Sequence, residues 1–176
     1  MLRVLLLILL LLSPAWARTP AEVVKEVYSF HAANLDQRET VTRFSHCFDP
    51  EFREVFLRAL DRKPGGDGAF VDMDYFFWSQ DGGHRFAVAD TVISDGGAEV
   101  LLKTWQGPYR GGPGQPVPEK PNFRIHLVKL GDGYRIRDVE RLPVPVSYPD
   151  GRVEWLQGGR ALPHLRMISE GKWPGD

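Results

Sequence analysis

Cysteine is almost missing from this chain. Cys47 stands alone among 176 residues, so no disulfide can close within it. Stability has to come from a packed core rather than from bridges. An excess of charge of either sign is missing as well. Lys and Arg number 22 against 23 Asp and Glu, for a net charge of −1. That balance excludes the basic stripe that nucleic acid requires, and equally a polybasic membrane-binding surface. Long apolar runs are scarce. The longest, Val4 to Leu12, has nine residues, far short of the roughly 20 that span a bilayer as a helix. Several catalytic signatures are absent too: a Gly-x-Ser-x-Gly elbow, His-Glu-x-x-His, a phosphate-binding loop and a dinucleotide fingerprint. Gly111-Gly112-Pro113-Gly114 lies in a proline-broken loop rather than between a strand and a helix, so it cradles no phosphate.

What is present begins with an export signal. Arg3 supplies the positive start, Val4 to Leu12 the apolar stretch, Pro14 a helix break, and Ala15-Trp16-Ala17 the small residues that signal peptidase reads. Residues 1–17 are therefore expected to be cleaved before Arg18. No Cys follows the apolar stretch directly to take a lipid. Residues 18–176 suit one domain, exported to the periplasm or fully secreted, with no stable membrane insertion after cleavage. Residues 143–176 read as a less regular C-terminal extension.

The first third reads as helices. Thr19, Pro20 and Glu22 form a capping box, followed at helical spacing by Val23, Val24, Val27, Phe30, His31 and Leu35. A short helix is expected from Thr40 toward Phe44. A third starts at Asp49-Pro50, with Phe52, Val55, Phe56, Ala59 and Leu60 on its apolar face. Strands follow. His84 to Ser94 and Ala98 to Gln106 flank Asp95-Gly96-Gly97, and Asn122 to Leu130 and Tyr134 to Leu142 flank Gly131-Asp132-Gly133. Between the hairpins, nine of the fifteen residues from Gly107 to Pro121 are Gly or Pro, a loop length that in compact domains is usually functional or flexible. Val153 to Leu156 and a last helical turn or two near Leu165 close the chain. Helices first and antiparallel strands after predict an α+β fold, N-terminal helices packed on one curved antiparallel sheet.

Two segments carry a resemblance. Val71-Asp72-Met73-Asp74-Tyr75-Phe76-Phe77-Trp78-Ser79-Gln80-Asp81 and Tyr134-Arg135-Ile136-Arg137-Asp138-Val139, together with the export signal and the helical first third, resemble an exported bacterial family, domain of unknown function 3828. Where that family is expected to place Pro after the second Asp of the first motif, Tyr75 stands. The resemblance, over roughly Pro20 to Leu142, implies a cone like that of nuclear transport factor 2, with helices closing one side of a bent sheet around a pocket. It implies no reaction, because that cone hosts unrelated functions.

Chemistry-bearing residues are few. A three-residue loop at Gly131 to Gly133 sets Leu130 opposite Tyr134, Val128 opposite Ile136, His126 opposite Asp138, and Arg124 opposite Glu140. A His oriented by a carboxylate is the arrangement of a general base, although such pairs are also common structural features. A two-residue Asp132-Gly133 turn would shift the register and break the pairing. Asp72, Asp74 and Asp81 could collect a hard cation, or cap turns and pair with Arg. Trp78, Trp105 and Tyr109 could line a binding wall beside the Gly/Pro loop, or pack in the core. His46 and Cys47, adjacent on a helix, would point about 100° apart and act independently. The favoured reading is a non-catalytic binding or accessory domain for a small molecule or a periplasmic protein, with Asp74, Asp81, Trp105, Tyr109 and Arg124 as contact residues, no metal, no cofactor, and a homodimer in reach. The alternative is a small isomerase, dehydratase or hydrolase built on His126 and Asp138.

Overall fold

The computed structural model describes residues 18–62, 73–80, 82–108, 114–147 and 151–172. The expected export signal, Asp72, Asp81 and Tyr109 lie outside the described residues. Helix α1 spans Pro20–Asn34, α2 Gln37–Arg43, α3 Pro50–Asp61 and α4 Ala161–Ser169, with a 3-10 turn at Ser45–Cys47. The strands are β1 (His84–Ser94), β2 (Gly97–Gln106), β3 (Phe123–Leu130), β4 (Gly133–Arg141), β5 (Val144–Ser147), β6 (Val153–Leu156) and β7 (Gly159–Arg160). Five of them form one antiparallel sheet, ordered β1-β2-β3-β4-β7, and β5 pairs with β6 as a separate hairpin. The N-terminal helices pack against this curved sheet, so the fold is α+β.

Local rules set the helix ends. Thr19 and Glu22 complete the capping box, each side chain meeting the other's backbone N–H. α1 stops one residue before expected: Leu35 is its left-handed cap at φ 58 and is exposed, and Tyr28 joins the buried face in its place. α2 starts earlier than expected, because Asp36 caps it by accepting from Glu39 N–H at 2.8 Å. Asp49 caps α3 by accepting from Glu51 and Phe52 N–H. Its own N–H donates to the Ile136 carbonyl at 2.8 Å, tying the helical layer to β4.

The core fills the space between α1, α3, α4 and the inner sheet face, where Val100, Leu102, Phe123, Ile125, Leu127, Ile136 and Val139 point. Into it projects the turn Met73 to Gln80. Asp74 and Ser79 exchange backbone hydrogen bonds, and Tyr75, Phe76 and Phe77 are all buried. Phe76 sits edge-on to Tyr28 and Phe48 and against Phe56 and His31. The segment expected as an irregular extension carries core residues as well, since Leu165 and Ile168 of α4 are fully buried against α3.

The second hairpin departs from its expected register. Its loop has two residues, Gly131 and Asp132, with Gly131 in the left-handed region at φ 63, so Leu130 faces Gly133 and Lys129 faces Tyr134. This is one residue out of step with the three-residue loop. A bulge then inserts Arg137, and beyond it His126 again faces Asp138 and Arg124 faces Glu140. A second bulge interrupts β1 between Val88 and Asp90. Each bulge adds local twist and bend, which is how a sheet of this kind acquires curvature.

Candidate functional site

Three polar clusters and one cleft stand out. The first cluster joins the helices to the acidic-aromatic turn. His31, fully buried, donates from Nε2 to Asp74 Oδ2 at 2.9 Å, and its Nδ1 meets the Thr40 hydroxyl at 2.9 Å. Asp74 Oδ1 accepts from Phe76 N–H at 2.8 Å. Nearby, Tyr28 donates to the Phe76 carbonyl, and burial, helped by the Asp74 charge, raises that phenol well above its ordinary range. The order hydroxyl, imidazole, carboxylate is that of a nucleophilic triad. However, Thr40 is fully buried and its hydroxyl sits 2.7 Å from the Asp36 carbonyl, to which it donates. The group clamps α1, α2 and the Asp74 turn together.

The second cluster contains the expected dyad, and the geometry separates its members. Register places His126 opposite Asp138, but the Arg137 bulge turns the two side chains apart. His126 stays on the outer sheet face, with Nε2 2.8 Å from Glu140 Oε2 and Nδ1 3.5 Å from Glu99 Oε1. Arg124 completes this face, 3.4 Å from Glu99 and 3.5 Å from Glu140. Asp138 is fully buried instead. Its Oδ1 accepts from Val139 and Leu162 N–H, both at 2.8 Å, and thereby caps α4. Its Oδ2 lies 2.7 Å from Arg160 Nε, a close ion pair too poorly aligned to count as a hydrogen bond. Neither His126 nor Asp138 lines the cleft beside the β5–β6 hairpin or the small cavity that joins it.

The third cluster corrects an expectation. Successive residues of the Ser45–Cys47 3-10 turn still leave the backbone roughly 120° apart, yet the His46 and Cys47 side chains converge beside Glu26. Cys47 Sγ, a His46 ring nitrogen and a Glu26 carboxylate oxygen lie within 4.8 Å of one another. These are metal-ligand types, yet the Arg18 guanidinium already pairs with Glu26 and lies 3.8 Å from the sulfur. Burial first, and the Glu26 charge second, push the Cys47 thiol up. A thiol so placed is a weak nucleophile and releases its proton to a metal reluctantly.

The cleft opens where the sheet leaves the helices. A cavity of about 180 Å³ lies between the acidic-aromatic turn and the ends of β1 to β4, lined by Trp78, His84, Thr104, Asn122 and Arg141 among others. Beside it a larger cleft of about 790 Å³ runs between the loop Gln115 to Asn122 and the β5–β6 hairpin. Its walls include Trp105, Trp155, Pro116, Pro118, Pro121 and Pro143. Thr104, Trp105, Gln115, Asn122 and Val144 line both spaces. Asn122 holds the junction by bonding Thr104 as a paired strand would, its amide donating to Thr104 O at 2.8 Å and accepting from Thr104 N–H at 2.7 Å.

Trp78 reaches the small cavity at a conformational cost. Its φ of 48 is unusual for a bulky residue, a strain of roughly 1–3 kcal/mol that surrounding packing has to hold. Tyr75, His164 and Gly159 supply that packing. The Trp78 ring is edge-on to Tyr75 and stacked on His164, and a Cβ at Gly159 would lie 2.9 Å from it. Tyr75, whose phenol burial pushes up to about 12, donates to His164 Nδ1 at 2.9 Å. Burial also holds His164 below its ordinary value of 6.5. Below pH 6.5 the unfolded chain therefore takes up a proton at His164 that the folded chain resists. This contribution to stability is complete above pH 6.5 and is lost as pH falls through the folded value. Thermal melts at pH 7.5 and 5.5 should show a drop in Tm that His164→Gln makes smaller; an equal drop in both proteins would refute it.

Trp105 and Arg124, expected as contact residues, thus part company: Trp105 lines both spaces, whereas Arg124 belongs to the outer charged face. Asp74 is committed to His31. Arg141 was not singled out by sequence, although it follows buried Val139 at the two-residue period that points inward. A charge on the core phase of a strand is the signal that could have found it. Fold and site together define an α+β domain with helices on one face of a curved sheet and a cleft at its open end. Comparison with known families, curated proteins and solved structures finds no match for the chain.

Proposed function

We propose that this chain is an exported, non-catalytic binding domain that holds a small molecule in the cleft between the Gln115 to Asn122 loop and the β5–β6 hairpin. The observation that carries the reading is the joining of a Trp- and Pro-walled space of about 790 Å³ to a polar end of about 180 Å³. Ligand sites are concave, largely apolar and of such a size, with a few polar groups to fix orientation. The prolines keep the wall stiff, which lowers the ordering cost of binding. Export to the periplasm, and the kinship with the domain of unknown function 3828 and its cone fold, belong to this proposal on the strength of the sequence motifs alone. The enzyme alternative loses support, since His126 and Asp138 bond to different partners.

The neutral dye N-phenyl-1-naphthylamine tests the cleft. Its emission should rise with the wild-type protein, and Trp105→Ala and Trp155→Ala should each weaken binding about tenfold. Unchanged affinity in both variants would remove the cleft from consideration. A homodimer is a second reading, favoured by Val92 and Ile93, which are 52% and 62% exposed on the edge strand β1. A monomeric mass in light scattering would discard it.

A further inference from the structure

The polar end of the cleft contains an arginine with no counter-charge. Arg141 lies on the inner face opposite Phe123, half-buried beside Trp78. Among the described residues no carboxylate stands within ion-pair distance of it, although most of the other Arg side chains of the domain pair with Asp or Glu. Burial alone lowers its guanidinium from the ordinary range, with no acidic neighbour to offset that effect.

Several of the other polar groups around the cavity are committed. Asn122 is bonded to Thr104 on both sides of its amide, and Gln106 Nε2 donates to the Gly82 carbonyl. His84 and Ser79 each have a partner, although the buried Nε2 of His84 makes no hydrogen bond. Trp78 Nε1 is likewise buried without an acceptor. Among the residues lining this space, Arg141 is therefore a donor-only group without an acidic partner, and the Trp78 and His84 rings each carry one buried nitrogen that makes no hydrogen bond. A buried donor without an acceptor is costly, and a half-buried cation without an anion is costlier. An occupant that brings an acceptor and a negative charge relieves both.

We propose that the cleft takes an amphipathic organic monocarboxylate, its carboxylate on Arg141 beside the Trp78 ring, its apolar body between Trp105, Trp155 and the prolines. This rests on the cleft reading above. Arg141 is the cation of the polar end, and Lys120 on the wall of the larger cleft is offset by Glu119 next to it in the chain. A monoanion is therefore matched, whereas a dianion such as a phosphate monoester would leave one charge uncompensated in a partly desolvated space. The planar guanidinium fork also fits a carboxylate in a bidentate manner.

The test is displacement of N-phenyl-1-naphthylamine by 4-phenylbutyrate and by its neutral amide, 4-phenylbutyramide, from wild type and from Arg141→Met. The acid should displace the dye at a concentration at least about tenfold lower than the amide, the size of effect a charge-assisted hydrogen bond gives. Arg141→Met should abolish that preference while still binding the dye. Equal displacement by acid and amide from wild type, or none by the acid, would overturn the carboxylate assignment and leave the cleft standing. Failure of the dye itself to bind would overturn the cleft and the carboxylate assignment with it. The acid-to-amide ratio on wild type needs no variant, so the inference stays testable even if Arg141→Met folds poorly.

Discussion

Asp74→Ala should lower stability by about 3–5 kcal/mol, the summed cost of leaving two donors, the buried His31 ring and the Phe76 N–H, without their acceptor. At the size of this domain that corresponds to a fall in Tm of roughly 6–20 °C. The reason lies in what is left behind. His31 is fully buried, and only Asp74 Oδ2 meets its Nε2. Removing the carboxylate strands a polar ring between Phe76 and Phe77, which stack against it. Phe76 N–H loses its acceptor in the same step, so the turn that delivers Tyr75, Phe76 and Phe77 to the core loosens. Asp74→Asn retains an acceptor oxygen and should cost clearly less. Thermal and urea unfolding of the two variants measures the difference. A Tm for Asp74→Ala within 2 °C of wild type would show that the clamp contributes nothing.

Asp138→Ala is expected to cost roughly 2–4 kcal/mol, combining the loss of a helix cap with two backbone donors left bare. Leu162 N–H and Val139 N–H both depend on its Oδ1. The Arg160 contact adds little, because that guanidinium is 49% exposed and solvent screens it. α4 carries Leu165 and Ile168 into the core, so a frayed start would reach α3 through them. His126→Gln should move stability by no more than about 1 kcal/mol, as its partners are partly exposed surface acids. Catalysis by a His126–Asp138 dyad would instead make the two variants alike, both folded and both inactive. Unfolding curves that place Asp138→Ala level with His126→Gln would contradict the capping role.

The extent to which sequence disclosed this molecule varies with the range of the interactions concerned. Asp49-Pro50 and Thr19-Pro20-x-Glu22 marked their helices because a cap is formed by residues three apart and owes little to the rest of the fold. Asp95-Gly96-Gly97 located the first hairpin to within a residue for the same reason. The candidate site was far less legible. Gly131-Asp132-Gly133 allowed turns of different length, and nothing local chooses where a bulge compensates. His31 read as one more residue on the apolar stripe of α1, and no local signal joins it to an Asp more than forty residues away.

By itself, then, the chain's sequence determined its elements, their caps and the layered α+β arrangement, since periodicity and end chemistry act over a few residues. Tertiary structure alone decided which side chains share a site. The Arg137 bulge is set by pairing across β3 and β4, and one inserted residue sends Asp138 inward to α4 while His126 stays out with Glu140. The same long-range packing leaves Arg141 and Trp78 together at the polar end of the cleft, where neither donor has an acid to meet.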